Sequence, residues 1–463
     1  MNTYRRWMIV LLSAVVGGCA VGPDYRRPEA AAPVAFKEAW QSATPADAAA
    51  RGPWWEAYGD PVLTELETSA ERSNQTIRQA EAQYRAAVAA VGGSRSALFP
   101  QVAASAGTTR SQSGSSQGGS GTAATTADRV AATVDWEVDL WGRLRRQLEA
   151  SRSSAEASAA DLALARLSAE ATLAQDYMQL RALDVQRALL ATTLAGYRRS
   201  LEITRNRYAA GVAASTDVTQ AESQLASAEA QDADVEVQRA VLEHAIAILA
   251  GKSPEELSLA PAAHLPLLPA VPDVMPATLL QRRPDVAAAE RRVAAANAAI
   301  GVARGAYFPT LSLAASGGYQ GPAWQNLFTA PARVWSVGPA LAATLFDGGA
   351  RRAQSESAVA NYDAAVAAYR QAVLVALQAA EDALANLRGL ATEESAASRA
   401  SQAAHETLRA TENQYRAGTV SYLNVVITQG TVLSADTNLI NVQSRRVQAH
   451  VALLKAMGGS PVQ

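Results

Sequence analysis

The chain has 463 residues, enough for two to four ordinary domains, and its 41 basic and 43 acidic residues leave a net charge of -2. With that balance and no polybasic block in either half, nucleic acid is excluded as an expected partner. Apolar residues make up 49% but aromatic ones only 6%; the surplus is alanine, the strongest helix former, so long helices are expected.

At the amino end, Arg5 and Arg6 precede an apolar run from Trp7 to Val16, and Gly17 and Gly18 lead to Cys19, the single cysteine. This is the layout of an export signal. It resembles a bacterial lipoprotein signal, which implies removal of residues 1–18, lipidation of Cys19 and, from Ala20, outer-membrane sorting. An ordinary signal peptide with an incidental cysteine is the alternative. One cysteine permits neither an internal disulfide nor a thiolate metal site. Beyond this segment no apolar run of about 18 residues remains, so a helical membrane span is not expected and any crossing must be a closed β-barrel.

Residues 19–61 read as an extended segment. No proline occurs between Pro100 and Pro254 or between Pro339 and Pro461, whereas seven crowd the stretch from Pro254 to Pro284. Two helical halves therefore flank a Pro-rich connector, residues 251–284, which opens with Ser253, Pro254 and Glu256 in capping-box spacing.

The halves are also alike. Leu98-Phe99-Pro100 matches Tyr307-Phe308-Pro309, Gly142 with Arg145 and Arg146 matches Gly348 with Arg351 and Arg352, and Tyr208–Val212 matches Tyr415–Thr419. Separations near 207 positions at three independent anchors identify an internal duplication. The first repeat, 62–250, is read as a helix (about Val62–Val91), strands at about 101–110 and 129–141, and a long helical hairpin over 143–250. The second, 285–458, repeats the order with a helix (about Asp285–Arg304), strands at about 310–319 and 333–346, and a hairpin over 350–457, leaving a tail at 459–463.

The pattern from Arg143 to Arg207 is uninterrupted, roughly 100 Å of helix at 1.5 Å per residue. Along it Leu173, Tyr177, Leu180, Leu183, Leu190, Leu194, Tyr197 and Leu201 recur mostly in steps of three, four or seven, and Leu433, Ile440, Val447, Val451 and Leu454 continue the rule on the last helix. Alanines between them allow packing on two sides, as a cylinder wall requires. An antiparallel coiled coil is the alternative, and the strands argue against it. From Val130 to Leu140 the even positions are apolar while Thr133, Asp135, Glu137 and Asp139 stand among the odd ones, an alternation suited to lipid on one side and water on the other. Four strands cannot enclose a usable bore, because about eight already give a lumen filled by side chains. Several copies must contribute, and three would give twelve strands.

The landmarks Gly22–Pro28 (GPDYRRP), Trp54–Leu66 (WWEAYGDPVLTEL), Arg282–Glu290 (RRPDVAAAE) and the two Phe-Pro junctions, in this order on a duplicated frame, resemble the TolC-like outer-membrane factors, most closely NodT-type lipoproteins of RND efflux systems. The resemblance spans the mature chain. It implies a mainly α fold with a membrane β-barrel: a homotrimer with four strands per chain, a 12-stranded barrel and a long periplasmic α-helical barrel. It also implies an exit duct for small molecules, served by a periplasmic adaptor and an inner-membrane RND transporter and seated in outer-membrane lipid. An exit duct for type I protein secretion uses the same architecture, and a structural lipoprotein without a pore is a third reading.

In relatives the Gly-containing turns between long helices receive adaptor hairpins, a role that falls here on Gly211, Val212, Gly418 and Thr419. Plain turn chemistry also accounts for these glycines. Relatives close this end with hydrogen bonds between hairpins and with carboxylate rings. Asp217 and Tyr415 stand at matching positions, whereas Val420 replaces a basic gate residue and Asn424 and Ile427 replace ring carboxylates. The chain departs from the acidic constriction that the resemblance implies, and Ile427 suggests a partly apolar one instead, with helix packing the alternative. Asp135, Glu137 and Asp139 would line the barrel lumen and favour cations, with a solvated strand face without selectivity the alternative. The histidines, His244, His264, His405 and His450, lack metal-ligand spacing, and no nucleophile elbow or P-loop occurs; no enzyme, metal or cofactor is expected.

Overall fold

The computed structural model describes residues 21–28, 40–41, 52–112, 124–269, 275–276 and 283–459. The elements are β1 (Trp40–Gln41), α1 (Pro61–Ser73), α2 (Gln75–Ser96), β2 (Gln101–Ser111), β3 (Thr125–Val138), α3 (Arg143–Ala209) and α4 (Ser215–Leu249), followed by β4 (Met275–Pro276), α5 (Pro284–Gly305), β5 (Thr310–Gly321), β6 (Arg333–Ala342), α6 (Ala350–Arg416) and α7 (Tyr422–Ala456). One offset, 207 positions, relates both long hairpins: 143 to 350, 209 to 416, 215 to 422 and 249 to 456. The chain divides into two compact units. The first comprises residues up to 30, 83–159 and 288–370; the second comprises 31–82, 160–287 and 371–463.

In the first unit β2, β3, β5 and β6 form one antiparallel sheet in that order, so the two repeats meet at the central β3–β5 ladder and β2 and β6 are its edges. The second and fourth strands of the sequence reading are corrected at their ends. β3 runs from Thr125 to Val138 rather than over about 129–141, because Asp139 leaves the strand to cap α3. β6 stops at Ala342 rather than near 346, because its partner β5 begins at Thr310, just after Pro309, which has no N–H to donate.

In the second unit the helix expected over about Val62–Val91 is two helices. The break lies at Asn74, whose carboxamide oxygen accepts from the N–H groups of Thr76 and Ile77 and so starts a new helix, while its Nδ2 donates to the Leu249 carbonyl. α1 is itself capped by Asp60, which accepts from Val62 N and Leu63 N, with Pro61 at the first helical position. A 3₁₀ turn over Trp54–Tyr58 buries Trp54, Trp55 and Tyr58 against Leu63, Leu66, Tyr177, Leu180, Ile246, Val451 and Met457. All eight heptad positions from Leu173 to Leu201, and all five from Leu433 to Leu454, are buried. Glu67 lies fully buried in this core with neither oxygen partnered, and burial pushes its carboxyl up to about 10, so it is held protonated.

The connector is fastened by a buried charge cluster. Asp184 accepts from Arg181 (2.9 Å), Arg239 (2.7 Å) and the backbone N–H of Ala262 (3.0 Å), and the two guanidinium groups donate on to the carbonyls of Ala260 and Leu259. Glu256 closes its short turn by accepting from the Ser253 N–H.

Candidate functional site

Two places carry the expected functional residues: the tips of the long hairpins in the second unit and the sheet in the first. At the tips, α3 and α6 end in the same motif. The N–H groups of Gly211 and Val212 donate to the carbonyls of Tyr208 and Arg207, and those of Gly418 and Thr419 donate to the carbonyls of Tyr415 and Gln414. This six-to-one and five-to-two pairing needs a left-handed residue at its glycine, and φ is +73° at Gly211 and +77° at Gly418. The four residues therefore form two small exposed knobs of fixed shape, with Val212 66% exposed.

Asp217, Tyr415, Asn424 and Ile427 lie within the first turns or last turn next to these knobs. Asn424 and Ile427 share one exposed face of α7, and Ile427 is 57% exposed, so helix packing within the chain does not explain it. The Asp217–Tyr415 hydrogen bond is not made within this chain: the Arg207 guanidinium covers the Tyr415 ring at 4.6 Å, the phenol bonds the Thr204 hydroxyl, and Asp217 acts on it only through its charge. Burial pushes the Tyr415 phenol up, Arg207 pulls it down, and Asp217 adds to the rise. The Ser200 and Tyr422 hydroxyls meet at 2.9 Å, and Leu201, Ala221, Tyr422, Val425 and Val426 pack between the hairpins. Arg207, Ser200 and Tyr422 were missed by sequence reasoning. Each meets a partner some two hundred positions away, and periodicity within one helix does not signal such a pairing.

The sheet has two chemically distinct faces, which its register defines. One face carries Val102, Val134, Ala315 and Val337 in a row, then Ala104, Ala132, Gly317 and Trp335, with Trp136, Leu313 and Pro339 and then Val138, Leu311 and Leu341 on the other side. Trp335, Val337, Leu341 and Val102 are exposed there. The other face carries Gln101, Ser105, Thr109, Arg129, Thr133, Asp135, Ser312, Ser316 and Ser336 among small residues. On that face Gly318 passes so close to β3 that an added Cβ would lie 2.1 Å from the Val130 carbonyl oxygen.

Only Asp135 keeps the free, strand-borne carboxylate expected of the acidic lumen face. Glu137 is on the strand but neutralised by Arg143, which donates to both its oxygens at 2.7 and 2.8 Å. Asp139 is corrected outright: it accepts from the N–H groups of Leu144 and Arg145 and pairs with the Arg145 side chain. Asp347 does the same for α6, accepting from Gly349 N and Arg351 N. An Asp followed by Gly and Arg at a helix start is the sequence signal for this cap, and it outweighed the strand alternation.

Residues 21–28 lie along the helices of the first unit. Val21 N donates to the Trp141 carbonyl, Arg146 pairs with Asp24 at 2.8 Å, Asn297 donates to the Pro23 carbonyl, and Tyr25 donates to Glu290. Gly22, at φ +115°, passes Gly301 so closely that a Cβ on it would lie 2.5 Å from the Gly301 Cα. Cys19 lies outside the described residues.

The family model described as outer membrane efflux protein matches residues 66–252 and 275–459, one segment for each repeat. This chain belongs to the outer membrane efflux protein family. Among its curated relatives, the probable efflux pump outer membrane protein TtgC of Pseudomonas putida is 29% identical over 97% of this chain and 94% of its own. Nodulation protein T of Rhizobium leguminosarum bv. trifolii is 27% identical over 98% and 96%. The solved outer-membrane channel OprN superposes with a TM-score of 0.87 at 32% identity, covering 96% of this chain and 99% of that one. The fold is that of TolC-like channels, and as an outer membrane efflux protein the chain is an outer-membrane channel. Among the described residues no helix is long and apolar enough to cross a membrane. The apolar sheet face is the membrane-compatible surface.

Proposed function

We propose that three copies join edge to edge, β6 of one to β2 of the next, into a 12-stranded barrel, with the long hairpins of all three forming a periplasmic tube. The observation that carries this reading is the two-faced four-stranded sheet with both edges open. One face is apolar throughout its middle rows, the other is polar, and four strands alone cannot enclose a channel. The tube is the exit duct of a tripartite RND-type pump for small molecules. Cys19 carries a lipid anchor in the outer membrane.

The knobs at Gly211–Val212 and Gly418–Thr419 dock the periplasmic adaptor, which in turn contacts an inner-membrane transporter. Their rigid glycine caps and exposed Val212 suit an apolar partner groove. Asp217, Tyr415, Asn424 and Ile427 form the gate, with Ile427 making it partly apolar. Asp135 supplies a single carboxylate per chain to the lumen, so cation preference is mild.

Reconstitution in planar bilayers tests the reading. Purified protein should elute as a trimer and conduct, and Asp217→Ala should raise single-channel conductance. A monomer without conductance would overturn the channel, and unchanged conductance in the variant would remove Asp217 from the gate.

A further inference from the structure

The apolar sheet face does not end in plain polar residues at its loop end. Arg333, the first residue of β6, lies on that face directly opposite Tyr319, and Arg110, next to the last residue of β2, lies on it opposite Thr126. Both are exposed, and among the described residues neither side chain makes a hydrogen bond or ion pair. This sets them apart from Arg143, Arg145, Arg146, Arg351 and Arg352, each of which has a carboxylate partner in this unit.

Position and surroundings indicate what these two cations meet. Arg333 is eight residues from Leu341 along β6, roughly 27 Å of strand, which with the usual tilt brings it to the edge of an apolar band about 25 Å tall. An arginine is costly at the middle of such a band and nearly free at its edge, where the headgroups begin. Exposed aromatics collect at the same level: Trp335 two residues on, and Phe328 packed edge-on against Tyr319 at 5.4 Å. Trp324 donates to the Thr108 hydroxyl, holding the β5–β6 connection against the same face. Aromatic rings with arginines at this level are the composition of a membrane interface.

On the trimer reading above, β6 and β2 are neighbours across the boundary between copies, so Arg333 of one copy and Arg110 of the next come to one seam on the lipid side. Asp128 shares this end of the face, but its carboxylate is buried and takes the Thr108 hydroxyl at 2.7 Å; two guanidinium groups with no carboxylate bonded to them call for an external anion with several oxygens. We infer that each of the three seams binds a phosphate group of the phosphorylated glycolipid of the outer leaflet, lipopolysaccharide. Its sugar lies over Trp335 and Phe328 and its acyl chains along the apolar face.

The test uses the full-length trimer purified from outer membranes and washed in detergent, with bound lipopolysaccharide quantified per trimer. The R110Q/R333Q double variant should retain about tenfold less, the loss expected from removing a charge-assisted contact. Arg129→Gln, on the polar face, should retain the wild-type amount. Rebinding with diphosphoryl lipid A should restore occupancy in the wild type, while dephosphorylated lipid A and phosphatidylglycerol should not. Equal retention by a double variant that is still trimeric and conducting would overturn the site alone, as would equal rebinding of phosphatidylglycerol. A monomeric, non-conducting wild type would overturn the channel reading and the seam together.

Discussion

The two long hairpins share a backbone plan and differ in how they hold their charges. In α3–α4 the cross-helix bridge is Arg198–Glu229, and at the equivalent positions of α6–α7 it is His405–Asp436. Arg187–Glu236 in the first becomes Glu394 accepting from Gln443 in the second. Asp184, the buried hub of the first hairpin, has Ala391 as its counterpart, and Arg446, counterpart of Arg239, turns instead to Glu394 at 2.6 Å. At the tips Asp217 corresponds to Asn424. The two hairpins thus share lengths, caps and apolar spacing and differ in their charged contacts; the solvated bridges among these are worth little, so their change is tolerated, whereas at the buried hub the arginine has found another carboxylate, Glu394.

The comparison breaks most sharply at Asp184. Asp184→Ala leaves Arg181 buried without a carboxylate and Arg239 with Glu243 alone, and should cost about 3–5 kcal/mol, read as a loss of unfolding free energy in denaturant. Alanine is native at 391, so the same chemistry costs nothing in the second hairpin. A loss under 1 kcal/mol for Asp184→Ala would mean that the connector is held by other contacts.

Next in size is a pH effect confined to the second hairpin. His450, counterpart of Glu243, is buried against the Tyr58 hydroxyl at 2.7 Å, and burial pushes its imidazole down to about 4. The unfolded imidazole titrates near 6.5, so between these values the unfolded chain takes up a proton that the folded chain refuses. The His450 contribution to stability should be full above pH 6.5 and fall by roughly 3 kcal/mol as pH drops towards 4, opposite in sign to that of the buried Glu67 carboxyl. His450→Gln should flatten that slope in melts collected from pH 4.5 to 7.5, and an unchanged slope would assign it to other groups.

The tips should respond alike. Gly211→Ala and Gly418→Ala each meet open space but force a side chain into the left-handed region, at about 1 kcal/mol apiece. Unequal losses would show that one knob is shaped by something other than its cap. Smallest of all, His405→Arg should give this hairpin the arginine–carboxylate bridge of the first. It should change stability by no more than about 0.5 kcal/mol, measured by chemical denaturation.

The sequence reading succeeded where one chain segment carries its own information. The three-four-seven spacing of leucines located the buried stripe of α3 and α7, and period-two alternation located the faces of β3 and β6. Proline-free stretches bounded the hairpins, and the glycine after each long helix marked its cap. It failed where two signals competed at one residue. Asp139 fits both a polar strand face and a helix cap, and the cap wins because its carboxylate satisfies backbone N–H groups that would otherwise lack a partner. Asn74 hid inside an apparently continuous helical pattern for the same reason. The Asp184 cluster and the Arg207–Tyr415 stack were not legible at all, since charged residues on a helix look solvated until distant segments are folded onto them.

The middle of the sheet is a ladder between strands from different halves, β3 with β5. A single ancestral half would own only a two-stranded ribbon, and a ring of the same girth would need six such chains meeting at six loose junctions. Fusing the halves makes every second junction covalent, so a twelve-stranded ring is left with three junctions that must find each other by diffusion. It also frees each half to specialise: one hairpin carries a buried arginine hub and the other a histidine in its core.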